Sequence, residues 1–140
     1  MMKTFYAVFD TNVLVSALMS SRQDSPTVTL LDYVIDGRIV LIYNDDIIAE
    51  YDEVLHRDKF NFTDERILAV IDLVRSGIRL TPTMSDELFP DPDDRVFYEV
   101  ALSKDGSYVV TGNQRHFPKS PIVVSPTEMM KIVQGTEIQT

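Results

Sequence analysis

The sequence predicts an α/β fold in which helices connect the strands of a mostly parallel sheet. Short apolar runs of strand length alternate with stretches in which apolar residues recur at helical spacing. Several of these apolar runs are followed directly by a polar residue, as by Asp10, Asn44 and Thr111. Because strand–helix–strand units have right-handed crossovers, the carboxyl ends of their strands meet at one edge of the sheet.

The first strand is predicted at Phe5–Phe9, where five apolar or aromatic residues suit a strand buried on both faces. It stops at Asp10, and helical spacing of apolar residues begins at Val13. Asp10 therefore has two interpretations. It is a functional carboxylate beyond the end of a parallel strand, or it caps the helix that begins near Asn12 or Val13.

A second helix is predicted after the polar segment 20–26, and Gly37 ends it. The second strand is the apolar run Ile39–Ile42, which closes on Asn44, Asp45 and Asp46.

The third helix is predicted from Asp46 to about Arg57, with one apolar stripe. Glu50 and Asp52 lie on opposite edges of that stripe. Glu50 is the better candidate for a functional group, because it lies nearer the helix N-terminus and so nearer the strand ends. The alternative for Glu50 is an ordinary solvated acid.

Two further helices frame an acidic loop. Thr63 is predicted to begin the first of them and Ser76-Gly77 to end it, after which 78–80 is extended. Residues 84–94 are a predicted loop, and Asp91-Pro92-Asp93-Asp94 opens the next helix. Helix capping and the helix dipole are a structural explanation for all three of these aspartates.

The last predicted strands are Tyr108–Val110, which leads to Thr111-Gly112-Asn113, and Ile122–Val124. Ser125 then begins a helix, and the chain from Gly135 is expected to fray.

Length and composition restrict the function. The 140 residues predict a single domain over 1–140. Because the chain has no cysteine and two histidines, a thiolate zinc site is excluded and a metal would need oxygen ligands. We expect a cytoplasmic protein, since no signal peptide or membrane-spanning run is evident. The net charge of −9 disfavours a protein that simply coats nucleic acid.

The topology brings distant polar residues to one edge of the sheet. Asp10, Glu50, Asp94 and Asn113 each lie near a strand end or an early helical turn. Carboxylates crowded there repel one another unless they are protonated or bind a cation, and Mg²⁺ or Mn²⁺ prefers oxygen ligands. Such a cluster suits metal-assisted hydrolysis of phosphodiester bonds.

Four segments in this order resemble the PIN-domain family, and the resemblance spans nearly the whole chain: Asp10–Val15, Glu50–Leu55, Asp91–Asp94 before Phe97, and Thr111–Asn113 followed by His116–Pro118. The chain is most similar to the VapC-like toxins of toxin–antitoxin systems. The resemblance implies a three-layer α/β/α sandwich, Mg²⁺- or Mn²⁺-dependent endoribonuclease activity on RNA, inhibition by a cognate antitoxin and a possible homodimer.

The resemblance also implies roles for individual residues. Asp10, Glu50 and Asp94 match the family's three acids and are the predicted catalytic and metal-binding residues. Asn113 stands where many members carry a fourth Asp, and this departure weakens a second metal site. The predicted supporting residues are Thr11, Asn12, Asp91, Asp93 and Thr111.

Other residues are weighed and left outside the site. His116 is not assigned to catalysis, because a lone histidine in a turn more often packs or forms hydrogen bonds. Arg57, Lys59 and Arg115 are treated as scattered surface cations rather than phosphate contacts. The aromatic and apolar residues Phe60, Phe62, Leu88 and Phe89 are candidates either for a dimer contact or for packing on the core.

Three alternatives remain. A haloacid-dehalogenase-type phosphatase would need a second Asp two residues after Asp10, where the chain has Asn12. A receiver-like signalling domain would need an acidic pair after the first strand and a Lys after the last. A PIN-like fold kept only for protein binding would use the same acids without catalysis, and metal titration would distinguish it.

Overall fold

The computed structural model describes residues 3–81, 84, 85 and 89–138, with side chains as far as Gly135. The strands are β1 Phe5–Phe9, β2 Ile39–Tyr43, β3 Ile78–Arg79, β4 Tyr108–Val110 and β5 Val123–Val124. The helices are α1 Thr11–Met19, α2 Pro26–Ile35, α3 Asp45–Leu55, α4 Asp64–Arg75, α5 Arg95–Leu102 and α6 Pro126–Ile138. None of the helices in the described ranges is long and apolar enough to cross a membrane.

The five strands form one sheet in the order β3-β2-β1-β4-β5, and every neighbouring pair is parallel. The predicted α/β class with a parallel sheet is therefore confirmed. Strand β1 lies at the centre, where Ala7 is in register with Leu41 of β2 and with Tyr108 of β4. The carboxyl ends of β1 and β4 are consequently neighbours, which places the segments after Phe9 and Val110 side by side.

Helices cover both faces of the sheet. Ala7, Val8 and Phe9 are fully buried, although successive side chains of a strand point to opposite faces. Helix α5 packs on β1, β2 and β4, while α2 packs on β2 and contacts α1 and α6. The result is the three-layer arrangement that the resemblance implied.

The predicted helix starts have a physical basis in side-chain caps. Ser25, Asn44 and Thr63 each accept a hydrogen bond from the backbone N–H three residues on. At the start of α6, the backbone N–H of Glu128 donates to the Ser125 hydroxyl, and the Ser125 N–H donates to the Glu128 carboxylate. This reciprocal pair is a capping box.

Two glycines follow helices for different reasons. Gly37 has φ +83°, the left-handed conformation that ends a helix without steric cost. Gly77 has no positive φ, but a Cβ added to it would lie 1.9 Å from the carbonyl oxygen of Leu41. Gly77 is thus required by the close approach of two backbones at β2.

Most helix boundaries agree with the sequence prediction to within two residues, and two differ by more. Pro92–Asp94 forms a 3₁₀ turn, and the α-helix begins only at Arg95. The Asp91 side chain accepts a hydrogen bond from the Asp93 N–H, which favours this tighter turn. The expected fraying from Gly135 is wrong as far as Ile138, because α6 continues to that residue, and 139–140 lie outside the described residues.

The aromatic residues considered for a dimer contact pack against the core. Phe60 and Phe62 stack on each other with ring centres 5.5 Å apart. Phe89 makes edge-on contacts with Tyr98 and Phe117. Leu88 lies outside the described residues. These three aromatic side chains therefore pack on the core.

Candidate active site

The candidate site lies where β1 and β4 end. Strand β1 continues into Asp10, whose backbone N–H donates to the Val110 carbonyl of β4 at 2.9 Å. Strand β4 continues into Thr111, whose N–H donates to Val124 of β5. The first polar side chains after the two strands are thus fixed by the sheet itself.

Asp10 is buried and is held from the β4 side. Its side chain makes no capping hydrogen bond to α1, although it occupies the N-cap position. Its Oδ2 instead accepts a hydrogen bond from the Thr111 hydroxyl at 2.8 Å. Burial raises the pKa of the Asp10 carboxyl above its ordinary value, and the Thr111 hydrogen bond opposes that shift. The Thr11 N–H also lowers the pKa of Asp10, but no capping hydrogen bond to α1 accounts for this carboxylate.

Glu50 reaches the same edge from α3. The Thr11 hydroxyl, one residue after Asp10, donates to Glu50 Oε2 at 2.5 Å. The neighbouring Tyr51 donates its hydroxyl to the Phe9 carbonyl, which fastens α3 to the end of β1. Burial raises the pKa of Glu50, the Thr11 hydrogen bond lowers it, and the nearby charge of Asp10 raises it.

Asp94 approaches from the 3₁₀ turn before α5. Its carboxyl is mostly buried, and its Oδ2 lies 3.9 Å from Nδ1 of His116. Burial raises the pKa of Asp94 from 3.8 to about 6, and the charges of Asp10 and Asp91 add to the effect. Glu50 contributes in the same direction, so the three predicted acids interact electrostatically.

The predicted supporting residues lie around these acids. Thr111 is fully buried, and its hydroxyl also accepts the Asn113 N–H at 3.0 Å. Asn113 is half-buried, whereas Asn12 is exposed. Asp91 and Asp93 are exposed as well, and their charges raise the pKa of Glu50.

The described residues contain no ready-made metal site, since no three His, Cys, Asp or Glu side chains among them form a metal-binding group. The donors nevertheless fit a hard divalent ion chemically, because carboxylate, hydroxyl and amide oxygens are its preferred ligands. Burial raises the pKa of Asp10, Glu50 and Asp94, and repulsion by neighbouring acids adds to the shift for Glu50 and Asp94. A bound cation would offset both effects.

A separate cleft of about 830 Å³ lies between α3 and α4. Its floor contains Ile48, Ile67 and Ile71, and Leu68 lines it as well. The three acids are not among its lining residues, so the candidate site lies outside this cleft.

Comparison with known proteins identifies the family. A family model described as the PIN domain matches residues 6–115, most of the chain. The chain belongs to the PIN-domain family. The match includes Asp10, Glu50 and Asp94. No curated protein and no solved structure was found to match. PIN domains are generally nucleases, and a nuclease domain implies a nucleic acid substrate.

Sequence reasoning missed two residues of this PIN domain's candidate site. The apolar stripe predicts only a core position on α3 for Tyr51, yet its hydroxyl donates to the Phe9 carbonyl at the end of β1. A tyrosine beside Glu50 on the predicted stripe is the signal that could have indicated this. The sequence predicts no catalytic role for His116, yet its Nδ1 lies 3.9 Å from Asp94 Oδ2. Its place just after Thr111-Gly112-Asn113 was the available signal.

Proposed function

We propose that this PIN domain is a divalent-metal-dependent endoribonuclease and the toxin component of a toxin–antitoxin system. One observation carries the proposal. Asp10, Glu50 and Asp94 come from three separate segments, yet each pair among them interacts electrostatically at the edge where the central strands end. Glu50 lies in the middle of α3 and so is not a helix cap, and Asp10 and Asp94 occupy N-cap positions without a side-chain capping hydrogen bond.

Asp10, Glu50 and Asp94 are the proposed ligands of Mg²⁺ or Mn²⁺, with the Asn113 amide as a further oxygen donor. One oxygen of Asp10 is occupied by Thr111 and one of Glu50 by Thr11. These bonds fix the carboxylate orientations and leave the second oxygen of each for a cation. Since no three of these groups are yet arranged for binding, the side chains of Glu50 and Asp94 would have to draw together.

The catalytic roles follow from this arrangement. A bound divalent ion supplies activation of a water nucleophile and neutralisation of phosphate charge. Asp10 is buried and held rigidly, because its backbone N–H donates to Val110 of β4 and its carboxylate accepts from the Thr111 hydroxyl. Thr11 orients Glu50, and Tyr51 holds α3 at the distance that this contact needs. Asp91 and Asp93 extend the negative rim around the site.

The choice of RNA, of a toxin role and of an antitoxin partner rests on the resemblance to VapC-like toxins. The net charge of −9 is compatible with an antitoxin that contributes basic residues. A homodimer in the cytoplasm is part of the same proposal.

Cleavage of single-stranded RNA tests the enzymatic part. Purified protein should cleave a mixed panel of labelled RNAs with Mg²⁺ or Mn²⁺ and stop on chelation, and Asp10→Asn should be inactive. Asp52→Asn, which changes an exposed acid of the same helix as Glu50, is the matched control and should retain activity. Undiminished cleavage after chelation would refute metal dependence. Metal binding without cleavage of any RNA would favour the non-catalytic alternative.

Co-expression tests the toxin part. Expression of the chain alone should arrest growth of a host cell, and the adjacent small open reading frame, if it encodes an antitoxin, should restore growth. Growth unaffected by the active protein would contradict the toxin role while leaving the nuclease activity in place.

A further inference from the structure

His116 is a nitrogen donor at an edge otherwise formed by oxygen donors. It lies in the 3₁₀ turn Gln114–His116 after β4, where its backbone N–H donates to the Asn113 carbonyl. Its Nδ1 is 3.9 Å from Asp94 Oδ2. The imidazole is about half exposed, so solvent and small ions have access to it.

The imidazole also lies within electrostatic reach of the central acid. A positive charge on His116 lowers the pKa of Asp10 as well as that of Asp94. These two acids come from different elements, the end of β1 and the turn before α5. His116 therefore adjoins the proposed metal ligands rather than a single surface acid.

We propose that His116 supplies a nitrogen ligand to the divalent ion that Asp94 holds, and that it shifts the metal preference from Mg²⁺ toward Mn²⁺. The inference rests on the proposed metal-dependent function. Imidazole is a poor ligand for Mg²⁺ and a good one for transition metals, whereas carboxylates serve both.

The distance between His116 Nδ1 and Asp94 Oδ2 is close to that between two ligands of the same ion. Donor atoms of one ion lie about 2.1 Å from it, and so about 3 to 3.5 Å from each other. The Nδ1–Oδ2 distance of 3.9 Å exceeds this by less than an ångström, which small side-chain rotations supply. The backbone bond to Asn113 keeps the turn in place while the ring adjusts.

The other histidine of the chain is a natural control. His56 also adjoins carboxylates, but its Nδ1 is 3.4 Å from Asp52 and its Nε2 is 3.7 Å from Asp64. Because opposite sides of the ring face these two acids, they do not form one ligand set. Its Nδ1 also lies 2.7 Å from the backbone carbonyl of Asp52.

Electron spin-echo spectroscopy of Mn²⁺ added to the metal-free protein tests the proposal directly. Wild type should show the ¹⁴N modulation of a coordinated imidazole. His116→Gln should lose it and bind Mn²⁺ at least about tenfold more weakly, with little change in Mg²⁺ affinity. His56→Gln should keep both the modulation and the affinity. Circular dichroism of each variant checks that the fold is retained.

The outcomes separate this inference from the proposed function. Mn²⁺ bound without ¹⁴N modulation in wild type would overturn the nitrogen ligand and leave the carboxylate site intact. Modulation that survives His116→Gln would overturn the assignment to His116. Absence of any Mn²⁺ binding, or binding unaffected by Asp10→Asn, would overturn the metal site itself and this inference with it.

Discussion

At the scale of single residues, the hydrogen-bond partner of Asp10 distinguishes the candidate site from a helix cap. The residue sits at the N-cap of α1, but its carboxylate accepts from Thr111 on the neighbouring strand. This carboxylate is held by a buried hydroxyl, and its charge raises the pKa of both Asp94 and Glu50. That arrangement costs stability in the absence of a cation.

The first prediction concerns pH and the metal-free protein. Asp94 has a pKa of about 6 in the folded chain against 3.8 for the ordinary carboxyl, so the folded state binds the proton more tightly. Its contribution to stability is therefore full below pH 4 and is lost as the pH rises toward 6. The raised pKa values of Asp10 and Glu50 act in the same direction.

Urea unfolding of wild type and Asp94→Asn between pH 4 and 7, with chelator present, measures this effect. The unfolding free energy of wild type should fall more steeply with pH than that of the variant. If the two proteins lose stability with pH at the same rate, the pKa of Asp94 is not raised in the folded protein, and the prediction is wrong.

The residues themselves differ in how far the sequence could predict them. Asp10 was recognisable because an apolar strand stops on it, and Glu50 because it lies early on one edge of an amphipathic stripe. The bonds that distinguish a site from a set of caps were not predictable. Thr111 and Asp10 are separated by 101 positions, and Thr11 and Glu50 by 39. Only the folded structure shows which hydroxyl donates a hydrogen bond to which carboxylate.

At the scale of elements, Tyr51 joins α3 to the central strand. Tyr51→Phe removes the hydroxyl that donates to the Phe9 carbonyl and should cost about 1 kcal/mol of unfolding free energy. The loss should also weaken Mn²⁺ binding, since Glu50 adjoins Tyr51 on α3. Urea unfolding and metal titration measure the two effects.

Tyr6→Phe is the matched control for Tyr51→Phe. Tyr6 is half-buried in the same sheet, and its hydroxyl makes no hydrogen bond within the described part of the chain. This substitution should leave both quantities nearly unchanged. Equal losses of unfolding free energy and of Mn²⁺ affinity in the two variants would mean that the hydrogen bond to Phe9 contributes to neither.

A third prediction tests the close approach at Gly77. The added methyl group of Gly77→Ala meets the Leu41 backbone, so strand β2 or the end of α4 must shift, at a cost of about 3 kcal/mol. Gly135→Ala is the control, because its added Cβ meets no atom within 4 Å beyond the adjoining residues and backbone of α6. It should stabilise the protein by about 0.5 to 1 kcal/mol. Melting temperatures that move in the same direction would contradict the account of Gly77.

Elements with strong local signals were predictable, and those decided by side-chain competition were not. The strands followed from apolar runs, and the starts of α4 and α6 followed from their threonine and serine caps. The 3₁₀ turn at Pro92–Asp94 was missed because Asp91 binds the Asp93 N–H, a local contact that competes with the α-helix. The close approach that requires Gly77 depends on β2, far away in sequence.

At the scale of the whole molecule, the net negative charge predicts that substrate binding depends on a cation. With 22 acidic and 13 basic side chains, the chain should repel RNA phosphates when no metal is present. Binding of a nuclease-resistant RNA analogue, measured by fluorescence anisotropy, should therefore be weak with chelator and strengthen with Mn²⁺. Tight binding that persists in chelator would mean that cationic side chains carry the interaction instead.

The shared site is the central claim, and thermal unfolding with and without Mn²⁺ tests it most directly. Wild type, Asp10→Asn, Glu50→Gln and Asp94→Asn are compared, with Asp52→Asn as the control acid outside the site. If the acids share a cation, Mn²⁺ should raise the melting temperature of wild type and of the control by binding linkage. Each site variant should show a smaller rise, and its metal-free melting temperature should stay level or increase as repulsion is relieved. Equal metal-induced rises in all five proteins, with lower metal-free melting temperatures for the three site variants, would contradict the shared site.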